Sequence, residues 1–260
     1  MINRDRQPPS DLIPFRIIEG LNTRCVGQEI VYYPTIPSTM DAAREKARHG
    51  ALEGTVIIAG EQTAGRGRLM REWISPQGNI ALSIILKPDI VSLPYLIMVA
   101  SLAAARSIFN VTRQKAQIKW PNDVLIGGKK VCGILIENEL KGNKVDFSVI
   151  GIGINTNPKV VENTEIIETA TSLDDTVRVE LIQALLTEFE NLYSTLPDGK
   201  AIFDKWRNRL VTIGKKVKAT WGPEVITGIA EDVDETGALT IRGEDGKLTK
   251  VVAGDVTLKE

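Results

Sequence analysis

The stretch 130-KVCGILIENELKGNKVDFSVIGIGI-154 decides the fold class of this 260-residue chain. Two apolar runs, Lys130–Leu140 and Val145–Ile154, are separated by the short polar segment 141–144, which contains Gly142. Apolar runs joined by so short a glycine-containing segment predict an antiparallel hairpin. Helical patterns occur on both sides of this hairpin, so the sequence predicts an α+β fold with a mixed or antiparallel sheet and packed helices.

Further strands and helices are predicted around the hairpin. Ser38 at the start of one helical pattern, with Asp41 three residues later, resembles a capping box. A strand that begins at Ala116 is ended by Pro121. The predicted strands are 29–33, 54–59, 80–86 and 116–120, and the predicted helices are 38–48, 94–109, 176–196 and 201–210.

The last fifty or so residues follow a different pattern. Short apolar strands alternate there with turns at 221–223, 235–237 and 244–246. This alternation is typical of a small β-barrel. We therefore predict two domains, a larger one at 1–210 and a barrel at 211–260. The strands predicted in the barrel are 215–220, 224–231, 238–242 and 247–252.

The composition indicates the class of protein. A hydrophobic fraction of 43% and a charged fraction of 25% are those of a soluble globular chain. A net charge of −1 creates no overall basic field that would attract DNA or an anionic membrane. The apolar stretch Tyr95–Ala105 is too short to span a bilayer, and the start of the chain is too polar for a signal peptide. These features predict a cytoplasmic protein.

Few cysteines and histidines are available for chemistry. Cys25 and Cys132 form no CxxC pair, and Cys132 lies in an apolar run, which predicts a buried and inert thiol. His49, the single histidine, lies at the predicted end of a helix, where a cation is favoured. A Ser-His-Asp hydrolase or a histidine-based metal site would have to use this one residue. We therefore look for the function in the charged clusters.

The most informative cluster is the arginine loop, defined as Gln62–Trp73. It begins with QTAGRGR directly after an apolar run. Guanidinium forks and glycine amides bind phosphate or carboxylate oxygens well. An ordinary solvated loop or an RNA-binding loop would have a similar composition, although RNA binding favours interleaved aromatic residues and a wider basic surface.

Two downstream clusters and three strand glycines add to this pattern. In Lys119–Asp123 the amide and carboxylate side chains could bind a ribose or a hydrated Mg²⁺, or form only a turn after the proline. A lysine pair at 129–130 precedes an apolar strand. Glycines within strands mark either the close approach of a ligand or backbone, or a bulge. These glycines are Gly133, Gly151 and Gly153.

Taken together and in order, these residues resemble the biotin protein ligase (holocarboxylase synthetase) family. The resemblance runs from about residue 29 to the C-terminus and implies a class II synthetase-like catalytic domain followed by a small SH3-like barrel. Met40 departs from the family pattern, where Asn is frequent, and so does Met70, where Gly is usual. Fewer than 40 residues precede Ser38, which implies a monofunctional type without a DNA-binding domain. The matching segments are Ser38-Thr39, Gln62–Arg68 with Arg71 and Trp73, Lys119–Asp123, Lys130-x-x-Gly133, Gly151-x-Gly153-x-Asn155 and 170–173.

The resemblance implies a two-step reaction. The biotin carboxylate attacks the α-phosphate of ATP to give biotinyl-5′-AMP, and a lysine of a biotin carboxyl carrier protein domain then takes up the biotinyl group. ATP and Mg²⁺ are the implied cofactors, with Mg²⁺ brought by ATP, near Asp123, rather than fixed by the protein alone. Biotin, ATP and the carrier domain are the implied partners, and an edge strand could pair two copies into a homodimer.

The resemblance also implies residue roles, several of them shared between ligands. The catalytic residues would be Arg66, Arg68, Lys130 and Asp123, with Asp123 accepting a proton from the incoming lysine or orienting its amine. Biotin would be bound by Ser38, Thr39, Met40, Gln62, Gly65, Arg66, Gly67, Arg68, Lys130, Gly133, Gly151 and Gly153. ATP would be bound by Arg66, Arg68, Arg71, Trp73, Lys119, Asn122, Lys130 and Asn155.

Two alternatives stay open at the level of sequence. The first is a lipoate ligase or octanoyltransferase of related architecture, which comparative binding of biotin and lipoate would distinguish. The second is an RNA- or protein-binding module built on the arginine loop and the barrel. That module would show salt-sensitive RNA affinity and no ATP chemistry.

Overall fold

The structure is a computed structural model that describes residues 11–158, 168–174, 177–221 and 224–258. Three sequence predictions fall partly outside these ranges. They are the polar start of the chain, Thr176 at the beginning of a predicted helix, and residues 222–223 of a predicted turn.

The strands of the larger unit form one mixed sheet. They are β1 (Ile30–Ile36), β2 (Val56–Gln62), β3 (Ile80–Leu86), β4 (Ala116–Lys119), β5 (Asp123–Ile126), β6 (Lys129–Lys141) and β7 (Lys144–Ile154). Their order across the sheet is β1-β2-β3-β7-β6-β5-β4. β1 and β2 pair in parallel, and the other neighbouring strands pair antiparallel. The predicted fold class is confirmed.

The predicted hairpin is formed by β6 and β7. Their register runs from Cys132 opposite Ile154 to Lys141 opposite Lys144, with one irregularity near Leu140. β5 was not predicted as a separate strand. It reaches β6 through Gly127-Gly128, whose positive φ angles of 57° and 80° suit a tight hairpin turn.

Helices cover both faces of this sheet. They are α1 (Pro14–Glu19), α2 (Thr39–Arg48), α3 (Leu93–Thr112), α4 (Arg178–Tyr193) and α5 (Gly199–Arg207). Along β2 the side chains alternate between the faces: Val56 and Ile58 join the core under α3 and α4, whereas Ile57 joins the smaller core under α2. His49 lies at the C-terminal end of α2, as predicted, and its Nδ1 is 2.8 Å from the Glu45 carbonyl oxygen.

The helix α3 is longer than the predicted apolar stretch. By length and composition alone, the segment Ile90–Thr112 could cross a membrane, and the predicted stretch Tyr95–Ala105 is the shorter part of it. In this fold α3 packs against α4, α5 and the sheet, and Leu96, Leu102 and Ile108 on it are fully buried. It therefore forms the central core helix of the larger unit.

The C-terminal unit is a second sheet of five strands. They are β8 (Lys216–Trp221), β9 (Glu224–Val233), β10 (Leu239–Arg242), β11 (Leu248–Val251) and β12 (Asp255–Leu258). Their order is β11-β10-β9-β8-β12. The strand β12 was not predicted, and it carries Asp255 back toward the larger unit. The domain boundary near residue 211 stays a prediction.

Trp120 fixes the C-terminal unit against the larger one. Its side chain is buried, and its Nε1 donates a hydrogen bond of 2.8 Å to the carbonyl oxygen of Gly237. Its backbone N–H donates to Thr212 Oγ1 at 2.9 Å. Arg207 on α5 adds an ion pair to Asp232 on β9, with an N–O distance of 2.6 Å. These contacts hold the two sheets in one orientation.

We predict that Trp120→Phe lowers the free energy of unfolding by about 1–2 kcal/mol, because the Gly237 carbonyl loses its donor while the ring remains apolar. Urea denaturation followed by circular dichroism would measure this. Trp221→Phe is the matched control, since Trp221 is 39% exposed on the C-terminal unit. Equal stability of the Trp120 variant and the wild type would contradict the prediction.

Candidate active site

A cavity of about 140 Å³ opens on the α2 side of the large sheet. The floor is formed by β3, β6 and β7, one wall by the start of α2, and the cover by the arginine loop. Asp255 at the start of β12 completes the rim. The predicted site residues that line this cavity are Ser38, Thr39, Met40, Gln62, Arg66, Gly67, Arg68, Arg71, Trp73, Asn122, Asp123, Lys130, Gly133, Gly151 and Gly153.

Three predicted site residues do not line this cavity. Gly65 accepts a hydrogen bond of 2.9 Å from the backbone N–H of Trp73, and a Cβ there would lie 2.3 Å from the Trp73 carbonyl oxygen. Lys119 Nζ lies 4.0 Å from Asp123 Oδ2 behind the cavity. Asn155 is buried and donates from Nδ2 to the carbonyl oxygen of Thr171 at 3.1 Å. Their ligand roles stay predictions.

Several lining residues were not selected from the sequence. Leu135 shares a strand face with Gly133, and the two-residue period of β6 could have identified it. Asp255 had no such signal, because its strand was not predicted. The unselected lining residues are Leu69, Glu72, Ala81, Leu82, Ile134, Leu135, Ile152, Gly254 and Asp255.

A chain of hydrogen bonds fixes the polar end of the cavity. Ser83 Oγ donates to Thr39 Oγ1 at 2.8 Å, and Thr39 Oγ1 donates to Gln62 Oε1 at 3.0 Å. The backbone N–H of Thr39 also donates to Gln62 Oε1, at 2.8 Å. Because the amide oxygen of Gln62 faces Thr39, its Nε2 group points away from Thr39 and can donate a hydrogen bond elsewhere. Ser83 was not selected from the sequence, since nothing marks a buried strand serine locally.

The hydroxyl of Ser38 is also directed to this end of the cavity. Ser38 is the N-cap residue of α2, but its side chain makes no capping hydrogen bond, so the predicted capping box is wrong. The carboxylate of Asp41, the expected partner in the box, binds Arg66 instead. Within the described part of the chain, Ser38 Oγ is buried and has no hydrogen-bond partner. A buried hydroxyl without a partner is costly, which a bound polar group would relieve.

These groups define the kind of ligand that fits the polar end. Thr39 Oγ1 has a second lone pair and can accept a hydrogen bond, while Gln62 Nε2 can donate one. The Ser38 hydroxyl can do either. The arrangement complements a planar group that carries N–H donors beside a carbonyl acceptor.

Cations surround the opposite end of the cavity. Arg68 Nη1 donates to Asn122 Oδ1 at 3.2 Å, and Lys130 Nζ lies 2.6 Å from Asp123 Oδ1. Arg71 pairs with Asp255 at 2.8 Å. Burial lowers the pKa of the Arg68 guanidinium below its ordinary value. Its partner is a neutral amide, so an anionic ligand would offset the loss of hydration at Arg68.

Trp73 and Met40 lie where the strand glycines leave space. A Cβ on Gly153 would lie 2.4 Å from the Trp73 indole, and a Cβ on Gly151 would lie 2.5 Å from Met40 Sδ. A Cβ on Gly133 would lie 2.9 Å from the Trp73 ring. Lys130 Nζ lies 5.4 Å from the centroid of the same ring, close enough for a cation–π contact. The glycines therefore seat side chains of the chain itself in the cavity floor.

No metal cage is formed by the residues that the structure describes. Within those ranges no group of three or more His, Cys, Asp or Glu side chains is arranged to hold an ion. Cys132 is buried, as predicted, and burial raises the pKa of its thiol.

The family comparisons agree with this geometry. Residues 32–155 match the Biotin/lipoate A/B protein ligase family, and residues 212–259 match the Biotin protein ligase C terminal domain. The bifunctional ligase/repressor BirA of Bacillus subtilis is 35% identical, over 96% of this chain and 80% of its own length. The biotin–[acetyl-CoA-carboxylase] ligase of Mycobacterium tuberculosis is 32% identical over 98% of both chains.

A solved structure supports the same relationship. The biotin protein ligase from Aquifex aeolicus in complex with biotin and ATP superposes with a TM-score of 0.72 at 28% identity, over 89% of this chain and 99% of that one. The fold and the cavity thus define a ligase of the biotin and lipoate ligase class. Two findings distinguish biotin ligases from lipoate ligases: the match to the C-terminal domain and the relatives that align over nearly the whole chain. The chain therefore belongs to the biotin protein ligase family.

We predict that Gly153→Ala displaces the Trp73 indole from the cavity floor, because the new Cβ would overlap the ring. Tryptophan emission should then shift to longer wavelength as the ring moves into water. The same substitution in a Trp73→Phe background is the control, and no shift is expected there. A shift of equal size in both backgrounds would show that another tryptophan had moved.

Proposed function

We propose that this protein activates biotin with ATP to form biotinyl-5′-AMP and transfers the biotinyl group to a lysine of a biotin carboxyl carrier domain. The observation that carries the proposal is one cavity with two complementary ends. Its Thr39 and Gln62 end suits the ureido group of biotin, which has two N–H donors and a carbonyl. Its Arg68 and Lys130 end suits the biotin carboxylate and the phosphates of ATP. The Aquifex relative, solved with biotin and ATP, supports this assignment.

The first step is an attack by one anion on another. A carboxylate oxygen of biotin forms a bond to the α-phosphorus of ATP, the bond to the bridging oxygen breaks, and pyrophosphate leaves. The carboxylate is ionised at neutral pH, so no general base is required. Charge neutralisation and alignment supply the catalysis, which is the role of Arg66, Arg68 and Lys130.

The nucleotide lies on the side of Trp73 and Asn122. Two hydrogen bonds hold Asn122 against Ile134. Asn122 Nδ2 donates to the Ile134 carbonyl oxygen at 2.8 Å, and the Ile134 N–H donates to the backbone carbonyl oxygen of Asn122 at 3.1 Å. Such anchoring keeps its Oδ1 fixed toward Arg68. Mg²⁺ is expected to enter with ATP, bound mainly by phosphate oxygens, because the cavity carboxylates of Asp123 and Asp255 are paired with Lys130 and Arg71.

The second step needs a neutral amine. The incoming lysine attacks the carbonyl carbon of the mixed anhydride, an amide bond forms, and AMP leaves. The proposed role of Asp123, whose side chain is about 15% exposed and pairs with Lys130, is to accept the proton of this lysine or to orient its amine. The acceptor is proposed to be a carrier domain of a carboxylase, as the name of the Mycobacterium relative suggests.

Three further assignments are part of the proposal. The net charge of −1 provides no overall basic field for DNA, which supports small-molecule ligands over nucleic acid. The two free cysteines, Cys25 and Cys132, support a cytoplasmic location, where thiols stay reduced. The strands β1 and β4 end the large sheet, and either could pair two copies.

The first step is tested by biotin-dependent exchange of labelled pyrophosphate into ATP. We predict that Arg68→Ala lowers the exchange rate by about 100-fold, because a preorganised cation opposite the developing charge is lost. Arg113→Ala is the control, as Arg113 follows α3 away from the cavity. Exchange driven by lipoate as well as by biotin would overturn the assignment of the substrate.

We also predict a role for Ser83 in the affinity for biotin. Ser83→Ala removes the donor that fixes Thr39, so the KM for biotin should rise about 2- to 10-fold, the usual worth of one hydrogen bond. The kcat should not change, since the ureido group is far from the reacting atoms. Ser148→Ala is the matched control, because Ser148 is an equally buried strand serine that bonds Asn138 outside the cavity. An equal rise in KM for both variants would refute this role.

A further inference from the structure

Four charged side chains form a closed ring at the start of the arginine loop. Arg66 Nη2 lies 2.6 Å from Asp41 Oδ1 and 3.8 Å from Glu137 Oε1. Arg44 Nη2 lies 3.3 Å from Asp41 Oδ1 and makes a second ion pair with Glu137. The ring alternates cation and anion and joins α2, β6 and the arginine loop.

Within this ring, Asp41 is the principal partner of Arg66. Glu137 lies farther from Arg66 and is shared with Arg44. The Arg66 side chain is 28% exposed and that of Asp41 is 52% exposed, so water screens this ion pair in part and geometry matters more than its energy. The backbone of Asp41 is itself fixed in the first turn of α2.

The ring leaves one edge of Arg66 for a ligand. Arg66 lines the cavity, and in the described part of the chain its Nε is buried and has no hydrogen-bond partner. A guanidinium is planar and rigid, so holding Nη2 outward also fixes the direction of the Nε–H donor. An unpaired buried donor at a cavity wall is costly, and a bound anionic ligand would supply its partner.

We propose that Asp41 is a positioning residue, which holds Arg66 so that its Nε–H faces the anionic reactants. This inference rests on the proposed function, in which Arg66 binds the carboxylate and the α-phosphate. Asp41 acts through Arg66 and does not touch the reactants. Asp41 is the third residue of α2, and its carboxylate accepts a hydrogen bond of 2.6 Å from Arg66 Nη2.

A matched pair of variants tests the proposal. Asp41→Asn removes the anion beside Arg66, and Glu139→Gln removes a similar ion pair between Glu139 and Arg48, at 2.7 Å, that also joins β6 to α2. We expect Asp41→Asn to lower kcat/KM for biotin in pyrophosphate exchange about 3- to 10-fold, and Glu139→Gln less than about 2-fold. Asp41→Glu should recover most of the loss. Equal losses for the asparagine and glutamine variants would overturn the proposal.

A double-mutant cycle separates positioning from a general loss of stability. In an Arg66→Lys background, Asp41→Asn should lower kcat/KM by less than about 2-fold, because the group it orients has been replaced. The same fold-loss in both backgrounds would mean that Asp41 acts independently of Arg66, and the proposal would fail.

Trypsin gives a second readout that does not depend on catalysis. Asp41→Asn should speed cleavage after Arg66 in the ligand-free protein by about 3-fold or more, since the local ion pairs that hold this residue are weakened. Glu139→Gln should leave the rate at the wild-type value. Unchanged cleavage in the asparagine variant would refute the positioning role. Wild-type protein without biotin-dependent exchange would instead refute the proposed function, and cleavage would still show whether Asp41 holds the loop.

Discussion

Mutual repulsion of the cations at one end of the cavity is the constraint on which this site depends. Arg71 and Lys130 each lie beside a protein carboxylate, Asp255 and Asp123. Arg68 differs, because its partner is the amide of Asn122 and burial lowers its pKa. The cluster is therefore nearly neutral when empty, and Arg68 has the most to gain from an anion. A chain with a net charge of −1 can in this way hold Arg68, Arg71 and Lys130 at one end of a single cavity.

The fold supports this site by leaving part of one sheet face uncovered. Under α2, a small core of apolar side chains that includes Ile57, Ile85 and Val149 fills the space between helix and strands. At the N-terminal end of α2, β6 and β7 carry glycines instead of large side chains, and the cavity lies there. On the other face, α3 and α4 complete a continuous core. The cavity therefore lies on a sheet whose other face is fully packed. This rigid support favours fixed positions for the polar groups of the cavity.

The sequence predicts the helices and strands better than it predicts which charged side chains pair with each other. The bounds predicted for β3 are those observed, because Ile80–Leu86 is a continuous apolar run between turn residues. The strands β5 and β12 were missed, and Asp255 was missed with β12. The ordered motifs identified most of the cavity lining. Which carboxylate pairs with which cation depends on tertiary contacts. Asp41 is the example: it was predicted to complete a capping box, but it pairs with Arg66. An aspartate three residues after a serine has the same sequence in both cases.

The arginine loop shows how charge pairing and backbone conformation act on the same segment. Leu69 and Met70 have φ angles of 53° and 59°, in the left-handed region, and their side chains are 65% and 83% exposed. Each such residue costs about 1 kcal/mol, and glycine at either position would avoid this cost. The turn is held by hydrogen bonds from Gly67 N to Arg71 O and from Arg71 N to Arg68 O, at 2.7 and 3.1 Å. Asp255 also binds Arg71. The same ion pair therefore neutralises one cation of the site and anchors the end of the turn that contains Leu69 and Met70.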